Sequence, residues 1–295
     1  MEKDMEFILK SGDITAKIIS KGAELKSLTY KRHELMWRAD PEFWGKTSPL
    51  LFPMIGTLKN GKTLINDKEY SISKHGFARD LELTGEAVNG TADCCTGAVF
   101  TLKQSDYTKA MYPFDFKFTV RYTLKSDGIT ITYRVKNDSD SDMPFCIGAH
   151  PAFACDGRFE DYRLEFPKLE NAEVPIYNLT TGLHEEDNRK TVLDGDNVLK
   201  LSHELFYDDV CYFDKIRSRS VQLLNPLGKG VRVDFPDFTS LGVWQAKDAP
   251  FLCIEPWCGS ADFDDCDGVF AHKRGIEILK AGEEKAFTYS ITAIG

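Results

Sequence analysis

Hydrophobic and polar residues alternate with a period of two along much of this chain. Phe114, Phe116, Phe118, Val120, Tyr122 and Leu124 alternate with Asp115, Lys117, Thr119, Arg121, Thr123 and Lys125. Ser126-Asp127-Gly128 supplies a turn, after which Ile129, Ile131, Tyr133 and Val135 alternate with Thr130, Thr132, Arg134 and Lys136. Successive side chains of a strand point to opposite faces, so this pattern predicts an antiparallel hairpin with one buried and one wet face. The polar cluster Asn137-Asp138-Ser139-Asp140-Ser141-Asp142 ends it. Similar units recur. Ile14, Ala16 and Ile18 predict a strand that breaks at Gly22 and resumes over residues 25–30. Segments 220–224 and 231–235 flank the turn Asn225-Pro226-Leu227-Gly228-Lys229-Gly230, and Phe287, Tyr289, Ile291 and Ala293 predict a closing strand. Helical periodicity is scarce, with a turn or two at most over 41–46 and 202–208. The expectation is an all-β fold, a large antiparallel β-sandwich. No linker-like or repeated stretch interrupts it, so residues 1–295 are expected to form a single domain.

Charge narrows the partners. The net charge is −9 and the isoelectric point near 5.3, which argues against nucleic acid or an anionic membrane, since both demand clustered Lys and Arg. The start Met1-Glu2-Lys3-Asp4 is charged with no apolar stretch behind it, and no run has the length of a membrane helix. With eight scattered cysteines, the expectation is a cytoplasmic chain with free thiols. Cys253-x4-Cys258-x7-Cys266 has poor spacing for zinc, so no metal site is expected there.

The candidate chemistry lies in three stretches. In Cys146-Ile147-Gly148-Ala149-His150-Pro151-Ala152-Phe153, one titratable histidine sits in a small, apolar segment, on backbone that Pro151 biases toward extension. His75, in Lys74-His75-Gly76-Phe77-Ala78-Arg79-Asp80, has a similar setting. Glu255 follows the apolar run Phe251-Leu252-Cys253-Ile254 and precedes Pro256-Trp257, which carries its carboxylate into or beside the core, where burial raises its pKa. Trp257, Trp244, Phe77 and Phe153 are candidate platforms for the apolar face of a sugar. Arg79, four residues after His75 on a segment expected to be extended, would face the same side and offer a fork of donors to hydroxyls or a phosphate, or else pair with Asp80. His33, His184, His203 and His272 lie among charges and are expected at the surface. A single histidine in an apolar segment is more often a satisfied core residue than a catalytic one; two such contexts together with Glu255 shift the balance toward function. A histidine and a glutamate on opposite sides of a bound sugar suit acid–base chemistry near neutral pH. No nucleophile elbow or phosphate-binding glycine loop is present.

These stretches, with Ser48 to Gly56 and Ala271 to Ile276, resemble the aldose 1-epimerase (galactose mutarotase) superfamily, and within it the LacX-like branch. The resemblance implies a β-supersandwich with a sugar cleft and a cofactor-independent isomerase acting on a small-molecule sugar. It implies Glu255 as general base on the C1 hydroxyl, His150 as general acid on the ring oxygen, and His75 as a hydrogen-bonding partner nearby. Arg79, Asp209, Trp257 and Phe153 would bind substrate. Close relatives often carry Gly-Arg where this chain has Gly56-Thr57; Lys59 is a substitute cationic donor. A hexose-phosphate substrate would need a further basic cluster, Arg79 with Lys273 or Arg274. A non-catalytic sugar-binding protein is the alternative to an enzyme, and a purely structural protein would hold His75, His150 and Glu255 far apart.

Overall fold

The structure is a computed structural model and describes residues 5–92 and 94–295. It is built from antiparallel sheets, as the period-two pattern predicts. Phe116–Leu124 pairs with Gly128–Asn137, setting Phe118 against Val135, Val120 against Tyr133 and Tyr122 against Ile131. The inward residues are fully buried while Lys117, Arg121 and Thr123 are exposed. Asn137 ends the second strand by a specific device. Its side-chain amide donates to the carbonyls of Ser141 and Leu279, and its oxygen accepts from the Ser139 N–H.

This hairpin lies within a nine-stranded sheet. From one edge its order is Leu183–Lys200, Arg163–Asn178, Ser220–Leu224, Gly230–Asp234, Glu284–Ile294, Gly128–Asn137, Phe116–Leu124, Gly97–Lys103 and Thr84–Val88. A second sheet runs Cys211–Phe213, Ser240–Trp244, Phe251–Cys258, Ile147–Ala149, Leu50–Leu51, with Ala152–Ala154 also paired to Phe251–Cys258. Glu6–Ser11, Ile14–Ile19, Leu25–Tyr30 and His33–Glu34 form a third. One apolar cluster joins the first two, drawing Phe118, Tyr133 and Phe287 from one and Ile147, Leu252 and Ile254 from the other. At its centre the Phe52 ring stacks on Phe118, with centroids 4.7 Å apart and planes 12° from parallel.

Two departures from the pattern have physical reasons. The longest strands, Arg163–Asn178 and Leu183–Lys200, show little alternation because four register shifts interrupt their pairing. One inward position there holds an acid: Glu170 is buried, and its carboxylate accepts from the N–H groups of Arg217 and Ser218 and from the Ser218 hydroxyl. Segment 41–46 forms turns and no helix, and 202–208 contains only the 3-10 turn His203–Phe206. No helix among the described residues is long and apolar enough to cross a membrane.

The hairpin register makes a direct prediction. Phe118→Ala empties a fully buried site and should cost ~3–5 kcal/mol in denaturant unfolding. Lys117→Ala, one residue away on the wet face, should stay within ~0.5 kcal/mol. The reverse order would mean that the strand is shifted by one.

Candidate active site

The strand Phe251–Cys258 is buried at all eight positions, so it has no wet face, and its alternation divides two environments. Leu252, Ile254 and Cys258 enter the core between the sheets, whereas Phe251, Cys253 and Trp257 belong to two smaller clusters on the other face. Glu255 shares that second face. The register then decides what it meets. Gly148 pairs with Trp257 and Ala152 with Cys253, so His150, midway between, stands across from Glu255. Pro151 interrupts the ladder with no N–H of its own, and its carbonyl accepts from Ile254 N–H. His150 Nε2 lies 3.2 Å from Glu255 Oε2.

His75 reaches the same place by a different route. Its segment is not extended. His75 and Gly76 both have positive φ, +67° and +76°, and Ala78–Asp80 is a 3-10 turn. Gly76 is required there, because a Cβ would fall 2.2 Å from the Phe52 carbonyl oxygen. The His75 N–H donates to the Gly56 carbonyl, and the Gly56 N–H donates back to His75 Nδ1 at 3.1 Å. Nδ1 is therefore an acceptor, the neutral ring carries its proton on Nε2, and Nε2–H is left as a donor. The two imidazoles meet edge to face, with centroids 5.7 Å apart.

These groups line a cavity of about 350 Å³ with Trp44, Lys46, Lys74, Arg79, Tyr177, His184, Asp209, Trp244 and Trp257. Three other depressions are as large or larger, so volume does not single this one out; its chemistry does. Trp44 stacks on His150 at 4.9 Å and Trp244 meets it edge-on at 5.6 Å. The Trp257 indole lies between two glycines. A Cβ at Gly148 would fall 2.6 Å from its Cδ1, and one at Gly242 2.8 Å from its far edge. The close approach that Gly148 permits is thus taken by a tryptophan ring.

Burial dominates the electrostatics. It pushes the Glu255 carboxyl well up, an effect that nearby Asp209 adds to and Lys74 opposes. Burial, with Arg79, Lys74 and Lys46 adding to it, lowers His150 to about 3, and burial followed by His150 itself pulls His75 well down. Both trends disfavour a carboxylate–imidazolium ion pair, so the contact at 3.2 Å sets a neutral carboxyl beside a neutral imidazole, without hydrogen-bond geometry between them. Asp209 lies at the cleft with positive φ, its carboxyl raised by burial.

Several expectations need correcting. Phe153 does not line the cleft: its strand presents it to the main core, where it is 1% exposed and bridges Met36. Phe77 is also core, packed against Phe52 and Phe116. Arg79 lines the cleft from a turn instead of a strand, with Nη2 donating to the Lys74 carbonyl and Nε 3.6 Å from Asp80. Lys59 donates to the Asp264 carbonyl, Lys273 to buried Asp262, and Arg274 to Glu186 and Asp265, all away from the cleft. Glu255 and His150 touch, so they do not stand on opposite sides of a void. His184 is not on the surface. Its strand begins at Leu183 and its backbone bonds to Asp262 and Asp264, which tucks the ring between Tyr212 and Phe263 before the charged run starts. Both its ring nitrogens are buried without a partner. Sequence reasoning missed Trp44, Lys46, Lys74 and Tyr177. Only Trp44, an aromatic in a turn, carried any signal.

His184 makes stability pH-dependent. Burial holds its ring at about 3 against an ordinary 6.5, so the unfolded chain binds the proton first and stability is lost as pH falls below 6.5. His184→Phe, which keeps the stack, should flatten the acid limb by up to ~1.4 kcal/mol per pH unit in denaturant titrations between pH 6.5 and 5. Parallel curves for the two proteins would contradict this.

The chain is similar to known proteins over nearly its whole length. Residues 5–292 match the family model of aldose 1-epimerase. The chain is similar to Protein LacX, plasmid, of Lactococcus lactis subsp. lactis, at 36% identity over 303 aligned residues, 98% of this chain and 100% of that one. It is similar in structure to a galactose mutarotase related enzyme from Lactobacillus acidophilus, with 32% identity, a TM-score of 0.88, and 99% and 98% of the two chains covered. A galactose mutarotase-like protein from Lactobacillus casei gives 28% identity and the same TM-score over 98% and 99%. A β-sandwich that carries an imidazole–carboxyl pair in an aromatic-walled cleft, matched over nearly its whole length, belongs to the aldose 1-epimerase family.

Proposed function

We propose that this chain interconverts the α and β anomers of a hexose by acid–base opening and closing of the ring. The observation that carries the reading is the contact of His150 Nε2 with Glu255 Oε2 at 3.2 Å on the cleft floor, with His75 beside it. In a hemiacetal the hydroxyl oxygen and the ring oxygen share one carbon. Groups that each hydrogen-bond one of them must themselves be neighbours, which is the arrangement found.

In the reactive tautomer the pair's mobile proton sits on His150 Nε2, making an imidazolium that also keeps its Nδ1 proton, with Glu255 as the carboxylate. Glu255 accepts the C1 hydroxyl proton as the bond from C1 to the ring oxygen breaks, and His150 donates its proton to that oxygen. The products are the open-chain aldehyde, a protonated Glu255 and a neutral His150. After rotation about C1–C2, the same hydroxyl attacks the other face of the aldehyde. His150 takes its proton and Glu255 returns the other to the new C1 oxygen. Protons balance over the cycle, and no cofactor enters any step. The Nε2–H of His75 stabilises charge that builds on the ring oxygen. Trp257, Trp244 and Trp44 offer apolar faces to the sugar, while Arg79 and Asp209 bind hydroxyls.

Freshly dissolved α-glucose and α-galactose followed by polarimetry test this. Glu255→Gln and His150→Asn should each lower turnover by ~10²–10⁴-fold. His75→Asn, which removes one hydrogen bond, should lower it about tenfold. Wild type no faster than these variants would reject the reading. Sugar binding without anomerisation would mark a sensing module instead. Gly148→Ala should raise KM about tenfold with a smaller change in kcat, because the indole it strikes cannot retreat past Gly242.

A second reading keeps the chemistry and makes the substrate a hexose phosphate. It is favoured by Lys46, Lys74 and Arg79 at the cleft; Lys74 is exposed and has no ion-pair partner among the described residues. In that case a hexose 6-phosphate outruns the free sugar and Lys74→Ala removes the preference. Otherwise Lys74→Ala leaves kcat/KM for the free hexose within about threefold.

A further inference from the structure

The residue beneath the acid–base pair is a cysteine. Cys253 is two positions before Glu255 on the same strand face, and the pairing that brings His150 across from Glu255 sets Ala152 against Cys253. The Cys253 thiol, the His150 imidazole and the Glu255 carboxyl each offer one donor atom, and these atoms lie within 4.8 Å of one another. All three residues are over nine-tenths buried. Glu255 Oε2 and His150 Nδ1 have no hydrogen-bond partner, although buried polar atoms are rarely left unpaired.

We propose that Cys253, His150 and Glu255 form a site for a thiophilic divalent cation such as zinc, and that its occupation switches the enzyme off. Sulfur, imidazole nitrogen and carboxylate oxygen are the three donor types zinc takes, at ~2.0–2.3 Å. Donor atoms within 4.8 Å of one another need to move by only about an ångström to meet one ion at such distances. Three protein ligands leave a fourth position, and the cleft supplies it, as water or a sugar hydroxyl. Binding replaces the thiol proton with a metal–sulfur bond and releases that proton to solvent, with no change of oxidation state. Hard cations such as magnesium have little affinity for this donor set. The cysteine spacing considered from sequence does not gather here. Cys258 lies on the opposite strand face, where its thiol faces the Asp237 carbonyl, and Cys266 sits in a separate depression.

Inhibition follows from which atoms the ion takes. It would occupy the lone pairs of His150 and Glu255 that move protons in the cycle proposed above. The inhibitory half of the inference rests on that reading; the binding half does not.

The test is titration of chelator-treated wild-type protein with cobalt(II), and then with zinc. Expected are one cobalt per chain with a thiolate-to-cobalt charge-transfer band in the near ultraviolet, displacement of cobalt by zinc, anomerisation falling in proportion to zinc bound, and recovery with EDTA. Magnesium should do neither. The band should persist when Cys94 and Cys266, the two cysteines that are not buried, are changed to Ser. It should vanish in Cys253→Ala, whose half-inhibiting zinc concentration, normalised to its own metal-free rate, should rise at least about tenfold. Cys253→Ser and His150→Asn report the same loss of binding should the alanine variant fold poorly. No charge-transfer band in wild type, or a band that survives Cys253→Ala and is lost with Cys94 and Cys266, overturns the site. A cobalt band in a protein that anomerises no sugar would uphold the site and reject the epimerase reading, so the two failures are distinguishable.

Discussion

One strand register holds the site together. With Gly148 against Trp257 and Ala152 against Cys253, His150 has a single place to be, opposite Glu255. A slip of one residue would turn Glu255 toward the Leu252–Ile254 core and His150 away from it, since side chains alternate faces at every step. Everything around the pair fixes this register. Leu252 and Ile254 are buried in the main core, Trp257 lies between Gly148 and Gly242, and the strand has no exposed position by which to tolerate a shift.

The register brings two titratable groups into a place that resists charge. Burial raises Glu255 and lowers both His150 and His75, so the cleft favours a neutral carboxyl beside neutral imidazoles. That state is costly to keep, with Glu255 Oε2 and His150 Nδ1 unpaired. Such strain is common where a ligand supplies the missing partners. A polar sugar, or a cation on the same atoms, would supply them. Lys74 at the cleft tempers the rise of Glu255, whose carboxyl must accept a proton for the ring to open.

The fold was legible wherever one sheet face is wet. The hairpin 116–137, the strands Ile14–Ile19 and Leu25–Tyr30 and the closing strand were read from the sequence pattern. The ribbon 163–200 was not legible, because register shifts break the period and Glu170 occupies an inward position that composition marks as outward. At the site, His75, His150, Glu255 and Trp257 stood out as polar or aromatic residues in apolar or glycine-bearing stretches, and the cleft gathers all four. Phe153 stood out for the same reason and faces the other way, since neighbours on a strand take opposite faces and the sequence does not say which is the cleft. His184 sits among charges and Lys74 is a lone exposed lysine, so both look like surface. Only tertiary contact, with Tyr212 for one and the cleft for the other, gives them a role.

The central claim concerns where the hemiacetal carbon sits, and a crystal structure of the chain soaked with galactose measures that directly. The account predicts the C1 hydroxyl within hydrogen-bond distance of the Glu255 carboxyl and the ring oxygen within reach of His150 Nε2, with the sugar lying along Trp257. A sugar bound with its C1 end toward Lys46 and Lys74, and no oxygen near either Glu255 or His150, would contradict it.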